Sequence, residues 1–286
     1  MPTTYAHYRF GRDVYKRLPG NIQDIIRSHG GLYNIGLHGP DLLFYYRVFE
    51  KNRVNQTGFA MHARPGTEFF RKAASVIYGG KNGKSPVCRK ADRHLKNARI
   101  SFIPSARYAY AFGFLCHFAL DSRCHPYVER MARETGISHS EMEAELDRDL
   151  MTRDGLDPMT CRPTAHLRAK MFYGTIISGF FPAITARQII TSIRHMRLCC
   201  NLLAPSGHRL HFFIWYLMKL GHLPVAVQDM VIRGESNPAC GPLVRQLERL
   251  YSQAVLEGAE LIMNFMEHVE HGAPLDPRLE HTFGEE

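Results

Sequence analysis

The sequence lacks the long apolar run that a membrane-spanning helix requires. Its richest apolar stretches cover residues 109–120 and 212–218, and both are shorter than the roughly 18 residues needed to cross a bilayer. The first residues, beginning Met1-Pro2, include neither a basic segment nor an apolar one, so no secretory signal peptide is recognised. These absences predict a cytoplasmic protein without a transmembrane segment.

Paired cysteines and strand patterns are lacking as well. The seven cysteines are odd in number and form no CxxC pair, which fits free thiols in a reducing compartment better than a disulfide framework. Apolar and polar residues nowhere alternate over a sustained stretch, and no internal repeat is found. No Ser/His/Asp or Cys/His catalytic pattern stands out either.

Helical spacing of apolar residues is what the sequence has in abundance. The first predicted helix begins at Thr3 or Thr4. The later ones cover residues 66–78, 104–121, 138–151, 185–203, 207–220 and 243–269. Residues 79–103 are rich in Gly and Lys, contain Pro86 and are predicted to form an exposed loop. Gly272 is predicted to end the last helix. We therefore expect one all-α domain over residues 1–286, in which the helical C-terminal part, 160–275, packs against the preceding helices.

The charge of the chain admits several kinds of partner. The formal net charge is +9, which attracts polyanions such as nucleic acid, anionic lipid headgroups and phosphorylated metabolites. The alternative is that this charge serves solubility alone.

The segment from His117 to Pro126 is the most informative part of the sequence. His117 and Asp121 are four residues apart, so they share one face of an apolar helix. A buried Asp is costly there without a cation or hydrogen bonds, and imidazole with carboxylate is a donor set that suits zinc. Pro126 predicts that the helix ends before it, with His125 at the bend beyond. The alternative is a His117–Asp121 pair bonded to each other in the core.

A second pair repeats this spacing. His139 and Glu143 are again four residues apart, at the start of the next helix. Considered in isolation they fit a solvated helix face, because acidic and basic residues surround them. Two His/carboxylate pairs within thirty residues, with His125 between them, favour a shared metal site.

The order of these residues resembles the zinc-dependent phospholipase C family. Upstream, His7 lies in the first predicted helix, Asp41 follows the turn at 36–40, and His62 ends the stretch 58–62. In that family such positions supply metal ligands. The resemblance implies one zinc held by Asp41, His62, His117 and Asp121, a second held by His125, His139 and Glu143, and a third held by His7 with Asp121 as a shared bridge.

The resemblance also implies a fold and an activity. The fold would be the all-α type of phospholipase C and the zinc nucleases, with the metal ligands in residues 1–150. The activity would be hydrolysis of a phosphate ester, such as a phospholipid, by a metal-activated water, with Asp41 and Asp121 as catalytic carboxylates. Secreted members use a freed N-terminal amine on the third zinc, whereas here Pro2 precedes His7 by five positions. We therefore expect two Zn²⁺ ions, and three at most.

Two other functions remain open on the sequence alone. A zinc-dependent single-strand nuclease or phosphatase-like enzyme would use similar ligands, and the positive charge would attract nucleic acid. No aromatic and basic stacking groove is evident, which favours the phospholipase-like function. The third alternative is a non-enzymatic helical protein with a structural zinc cluster. His38, just before the Gly-Pro-Asp turn, is interpreted as a turn residue rather than as a partner of the metal site.

Overall fold

The computed structural model describes residues 4–81, 99–203, 232 and 235–284, and every regular element in these ranges is helical. The α-helices are α1 (Thr4–Tyr15), α2 (Gly20–Ser28), α3 (Gly30–Gly36), α4 (Arg53–His62), α5 (Gly66–Lys81), α6 (Arg99–Thr135), α7 (His139–Arg153), α8 (Met171–Ser178), α9 (Ala186–Leu203) and α10 (Gly241–His271). Short 3₁₀ helices lie at Gly39–Tyr45, Pro238–Cys240 and Pro277–Glu280. The all-α prediction is confirmed.

The long central helix α6 differs from its prediction. It runs through both Pro104 and Pro126 to Thr135, so the predicted end near Asp121 is wrong and His125 lies on the helix rather than at a bend. Pro126 removes one backbone hydrogen bond, at a cost of about 3 kcal/mol in a helix interior. Cys124 and Val128, on either side of it, are both buried in the core, and this packing offsets the cost.

The predicted loop at 79–103 is wrong at both ends, because α5 extends to Lys81 and α6 already begins at Arg99. Residues 82–98 and the helix predicted at 207–220 lie outside the described residues. No helix in the part of the chain that the structure describes is both long and apolar enough to cross a membrane. The six described cysteines are free thiols.

Helix α6 is the centre around which the other helices pack. It contacts α1, α2, α3, α5 and α10, and Phe112, Phe114 and Phe118 on it are fully buried. Helix α10 packs on α6 and also on α1, α5 and α7. It ends at Gly272, whose φ of 74° places it in the left-handed region, as predicted from the sequence.

Two glycines let α3 and α6 approach until their backbones touch. A Cβ at Gly113 would lie 2.2 Å from the carbonyl oxygen of Tyr33, and one at Gly36 would lie 2.3 Å from that of Tyr110. Only glycine fits at such a distance. The contact places the 3₁₀ helix that follows α3 beside the next turn of α6, where the predicted metal ligands lie.

Candidate metal centre

Four of the predicted ligands meet in the interior of the protein. Asp41 comes from the first 3₁₀ helix, His62 is the last residue of α4, and His117 and Asp121 lie one turn apart on α6. One ligand atom from each lies within 4.8 Å of those from the other three, and all four residues are buried. We call these four residues the first cluster.

A second cluster forms where α6 meets α7. His125, His139 and Glu143 also bring ligand atoms within 4.8 Å of one another. Oε1 of Glu143 lies 3.3 Å from Nε2 of His125 and 3.1 Å from Nε2 of His139. The His139 side chain is 27% exposed while the other two are buried, so this second cluster lies nearest to solvent.

Asp121, a member of the first cluster, also faces the second cluster and His7. Its Oδ1 lies 3.2 Å from Nε2 of His7 and 3.7 Å from Nε2 of His125. Its Oδ2 lies 3.0 Å from Nε2 of His117 and 3.9 Å from Nε2 of His62. One carboxylate thus faces four imidazoles, and the bridging role of Asp121 stays a prediction.

Many of the converging atoms are buried without a hydrogen bond. Among the described residues these atoms are both ring nitrogens of His7 and of His117, Nε2 of His62, Oδ1 of Asp41, Oδ2 of Asp121 and Oε2 of Glu143. Several of them lie within ion-pair distance of one another, such as Oδ1 of Asp41 and Nε2 of His62 at 2.9 Å, but without hydrogen-bond geometry. Buried polar groups that lack a hydrogen bond cost about 1–3 kcal/mol each. Bound cations would satisfy them together, and a donor set of imidazole nitrogens and carboxylate oxygens suits zinc. The two clusters are therefore suitable for metal binding.

Three of the histidines are oriented by a hydrogen bond at Nδ1, the ring nitrogen that faces away from the clusters. In each, Nδ1 donates to an oxygen: His62 to the Gly58 carbonyl at 3.0 Å, His125 to the Phe283 carbonyl at 2.9 Å, and His139 to Oε1 of Glu129 at 2.7 Å. This bond fixes the tautomer and leaves the Nε2 lone pair free to bind a metal. The orienting partners Gly58, Glu129 and Phe283 were not predicted from the sequence.

Without a metal, the clusters are held together by opposite charges. Burial alone would raise the pKa of Asp121, but the neighbouring His117, His125 and His7 hold it well below its usual value. For His125 burial acts in the opposite direction and alone would lower its pKa. The negative charges of Asp121 and Glu143 outweigh this effect and raise the pKa of His125 to about 10. A proton on His125 therefore balances the negative charge of Asp121 and Glu143, a role that a metal ion would take over.

Comparison with known proteins assigns the family. The family model of zinc-dependent phospholipase C matches residues 6–181, which is more than half of the chain and includes all eight predicted ligands. The chain belongs to the zinc-dependent phospholipase C family. No curated protein and no solved structure matches the chain.

One glycine allows the first cluster of this phospholipase C family member to form. Gly39 has a φ of 44°, and a Cβ added there would lie 2.2 Å from Cδ2 of His117. Its backbone therefore passes directly against the imidazole ring, immediately before Pro40 and Asp41. The Gly-Pro-Asp turn thus combines a left-handed residue, a fixed φ at Pro40 and a carboxylate of the first cluster.

A buried carboxylate missing from the predicted set holds α1 in place. Asp147 accepts hydrogen bonds from the backbone N–H groups of Tyr5 at 3.1 Å and Ala6 at 2.7 Å, which fixes the turn that precedes His7. Burial raises the pKa of Asp147 to about 7, against the effect of these two amides. The sequence did contain a signal, because Asp147 continues the four-residue spacing of His139 and Glu143.

A second histidine pair lies beside His7. Nε2 of His38 lies 2.8 Å from Nε2 of His166, and the His38 ring centroid lies 6.4 Å from that of His7. Burial lowers the pKa of His166 to about 3 and that of His38 well below its usual value, so both rings are neutral. His38 does lie at the predicted turn, but it is fully buried and paired. His166 lies outside any helix, where no sequence pattern indicated it.

Proposed function

We propose that this protein is a zinc-dependent hydrolase of phosphate esters that cleaves phosphodiesters in the manner of a phospholipase C. The family assignment supports the reaction class. The observation that supports it most directly is the convergence of buried nitrogen and oxygen atoms without hydrogen bonds on two clusters of metal-ligating side chains. A purely structural core would leave few such atoms without a hydrogen bond.

We assign each cluster of proposed ligands to its own zinc ion. The first cluster, Asp41, His62, His117 and Asp121, would hold one zinc, and the second, His125, His139 and Glu143, would hold another. His7 faces Oδ1 of Asp121 at 3.2 Å and would hold a third ion through that shared carboxylate. Two Zn²⁺ ions bring +4 against the −3 of Asp41, Asp121 and Glu143, so the loaded site stays positive and attracts an anionic phosphate ester.

The protein's own groups have distinct proposed roles at this site. When bound, zinc ions lower the pKa of a coordinated water to about 7 and bind phosphate oxygens. Asp41, whose Oδ1 lies 2.9 Å from Nε2 of His62, orients the attacking water and accepts its proton. Asp121 links the first cluster to His125 of the second. Because the His139 side chain is partly exposed, we place the entry of the substrate at the second cluster.

The substrate class follows from charge and from the family. A phosphate diester presents two non-bridging oxygens, which suit a positively charged site with more than one ion. A phospholipid is our first candidate because of the family assignment. Single-stranded nucleic acid is the competing phosphodiester, and the formal charge of +9 would attract either polyanion.

Elemental analysis and a substrate comparison test this proposal. We expect at least two zinc ions per chain after equilibrium dialysis, and hydrolysis of short-chain phosphatidylcholine that is abolished by chelation and restored by zinc. Single-stranded DNA assayed in parallel distinguishes a nuclease. A protein that holds zinc but hydrolyses neither phosphodiesters nor phosphomonoesters would contradict the proposal and indicate a structural cluster.

A further inference from the structure

The last described residues of the chain lie against both clusters. The Phe283 carbonyl accepts the hydrogen bond from Nδ1 of His125 in the second cluster at 2.9 Å. The Phe283 ring is fully buried, and its centroid lies 5.5 Å from that of His62 and 6.0 Å from that of His117 in the first cluster. One residue, far from the ligands in sequence and outside the matched range 6–181, thus contacts both clusters.

Backbone hydrogen bonds hold this segment in register. The N–H of Phe283 donates to the carbonyl of His62 at 3.3 Å, and the N–H of Gly66 donates to the carbonyl of His281 at 2.9 Å. The preceding residue Glu280 accepts a hydrogen bond from Thr67 at 3.3 Å. The segment is therefore fastened to the end of α4 and the start of α5, on the side where α4 supplies its ligand.

Gly284 packs closely against His125 of the second cluster. Its φ is 101°, and a Cβ added there would lie 2.3 Å from Cβ of His125 and 3.1 Å from the carbonyl oxygen of Asp121. Only glycine allows the backbone to pass so near to α6. The approach brings the carbonyl of Phe283 within hydrogen-bond distance of the imidazole.

We propose that residues 281–284 are a positioning strap for the metal centre. This inference rests on the proposed function. The carbonyl of Phe283 fixes the ring of His125 so that Nε2 points into the second cluster. The Phe283 ring packs against His62 and His117 and limits their movement. The strap touches no reacting atom and acts through the ligands that it orients. Such outer partners typically change metal affinity by about 10–100-fold.

A pair of shortened chains tests the strap. A chain ending at Phe283 keeps the ring and an oxygen acceptor at its terminal carboxylate, whereas a chain ending at Thr282 loses both. Zinc affinity is measured by competition with a chromophoric chelator, and the ligand field by the visible spectrum after replacement with Co²⁺. We expect the chain ending at Thr282 to bind one zinc about 10–100-fold more weakly, with an altered cobalt spectrum, and the chain ending at Phe283 to stay near the full-length value.

A pair of glycine variants gives the same test without shortening the chain. Gly284→Ala forces the strap away from His125, while Gly272→Ala is the matched control, since Gly272 has a φ of 74° but nothing within 4 Å of an added Cβ. We expect weaker zinc binding for Gly284→Ala alone, although both variants lose some stability to backbone strain. If the chain ending at Thr282 does not fold, the comparison of Gly284→Ala with Gly272→Ala decides whether the strap affects zinc binding.

The outcomes separate the strap from the proposed function. Full-length protein that binds no zinc would contradict the proposed function itself. Full-length protein that binds zinc, together with a folded chain ending at Thr282 and a Gly284→Ala variant that bind it equally well, would overturn the strap and leave the proposed function standing.

Discussion

Oδ1 of Asp121 lies 3.2 Å from Nε2 of His7, while its Oδ2 lies 3.0 Å from Nε2 of His117. One carboxylate on α6 therefore joins the first helix of the protein to the first cluster. Because its Oδ1 also faces His125, a change at Asp121 reaches all the groups that we assign to metal ions.

Replacing Asp121 by Asn should reduce both zinc content and hydrolysis. The neutral amide keeps the shape of the side chain but removes the negative charge that faces four imidazoles. We expect the loss of at least one zinc per chain and a fall in rate of about 100-fold or more, since even outer-shell partners are worth about 10–100-fold. Elemental analysis and phosphodiester assays measure the two effects. Asp24→Asn, at an exposed carboxylate on α2, is the control, and unchanged zinc content in Asp121→Asn would refute the bridge.

Glu129→Gln should weaken the second cluster selectively. Oε1 of Glu129 accepts from Nδ1 of His139 at 2.7 Å, which orients the ring and raises the basicity of Nε2. We expect zinc binding at the second cluster to weaken by about 10–100-fold, with the first cluster unaffected. Isothermal titration with zinc resolves the two classes of site. Glu134→Gln, at an exposed position on the same helix, should leave both unchanged. Equal effects of the two variants would argue against an orienting role.

Gly39→Ala should disturb the first cluster. The added Cβ would meet Cδ2 of His117 at 2.2 Å, in addition to the strain of a φ of 44°. We expect a loss of about 1–3 kcal/mol in the free energy of unfolding, together with weaker zinc binding. Gly136→Ala separates the two causes, because Gly136 has a φ of 72° but open space around it. That control should lose stability alone, as measured by chemical denaturation and zinc titration in parallel.

The stability of the metal-free protein should fall as the pH rises above neutrality. The pKa of His125 is about 10 in the folded protein, against 6.5 as its ordinary value. Below pH 6.5 His125 is protonated in both the folded and the unfolded chain, so its attraction to Asp121 and Glu143 stabilises the fold fully. This contribution is lost as the pH rises from 6.5 through about 10.

Zinc should reverse this dependence, because the ion replaces the proton and binds more tightly as the histidines deprotonate. Thermal unfolding midpoints of chelator-treated and zinc-loaded protein across this pH range measure the difference. A metal-free midpoint that does not decrease between pH 6.5 and 10 would show that the charged histidines do not stabilise the empty clusters.

The spacing of residues predicted the clusters better than it predicted the helix that supplies them. His117 and Asp121, like His139 and Glu143, share a face because a helix repeats every 3.6 residues, and the structure does bring each pair into its cluster. The predicted end of α6 near Asp121 was wrong, because the effect of Pro126 on the backbone is local. Burial of the residues on both sides of it decides whether the helix continues.

The sequence by itself determined the all-helical fold and the pairing of His117 with Asp121 and of His139 with Glu143 on shared helix faces, because both follow from periodicities that operate within one helical turn. Only the tertiary structure decided what orients those residues. The carbonyl of Phe283 on His125, the carboxylate of Asp147 on the first turn of α1, and the pairing of His38 with His166 join segments that are remote in the chain. Such contacts depend on how whole helices pack around α6, and no local pattern of residues encodes them.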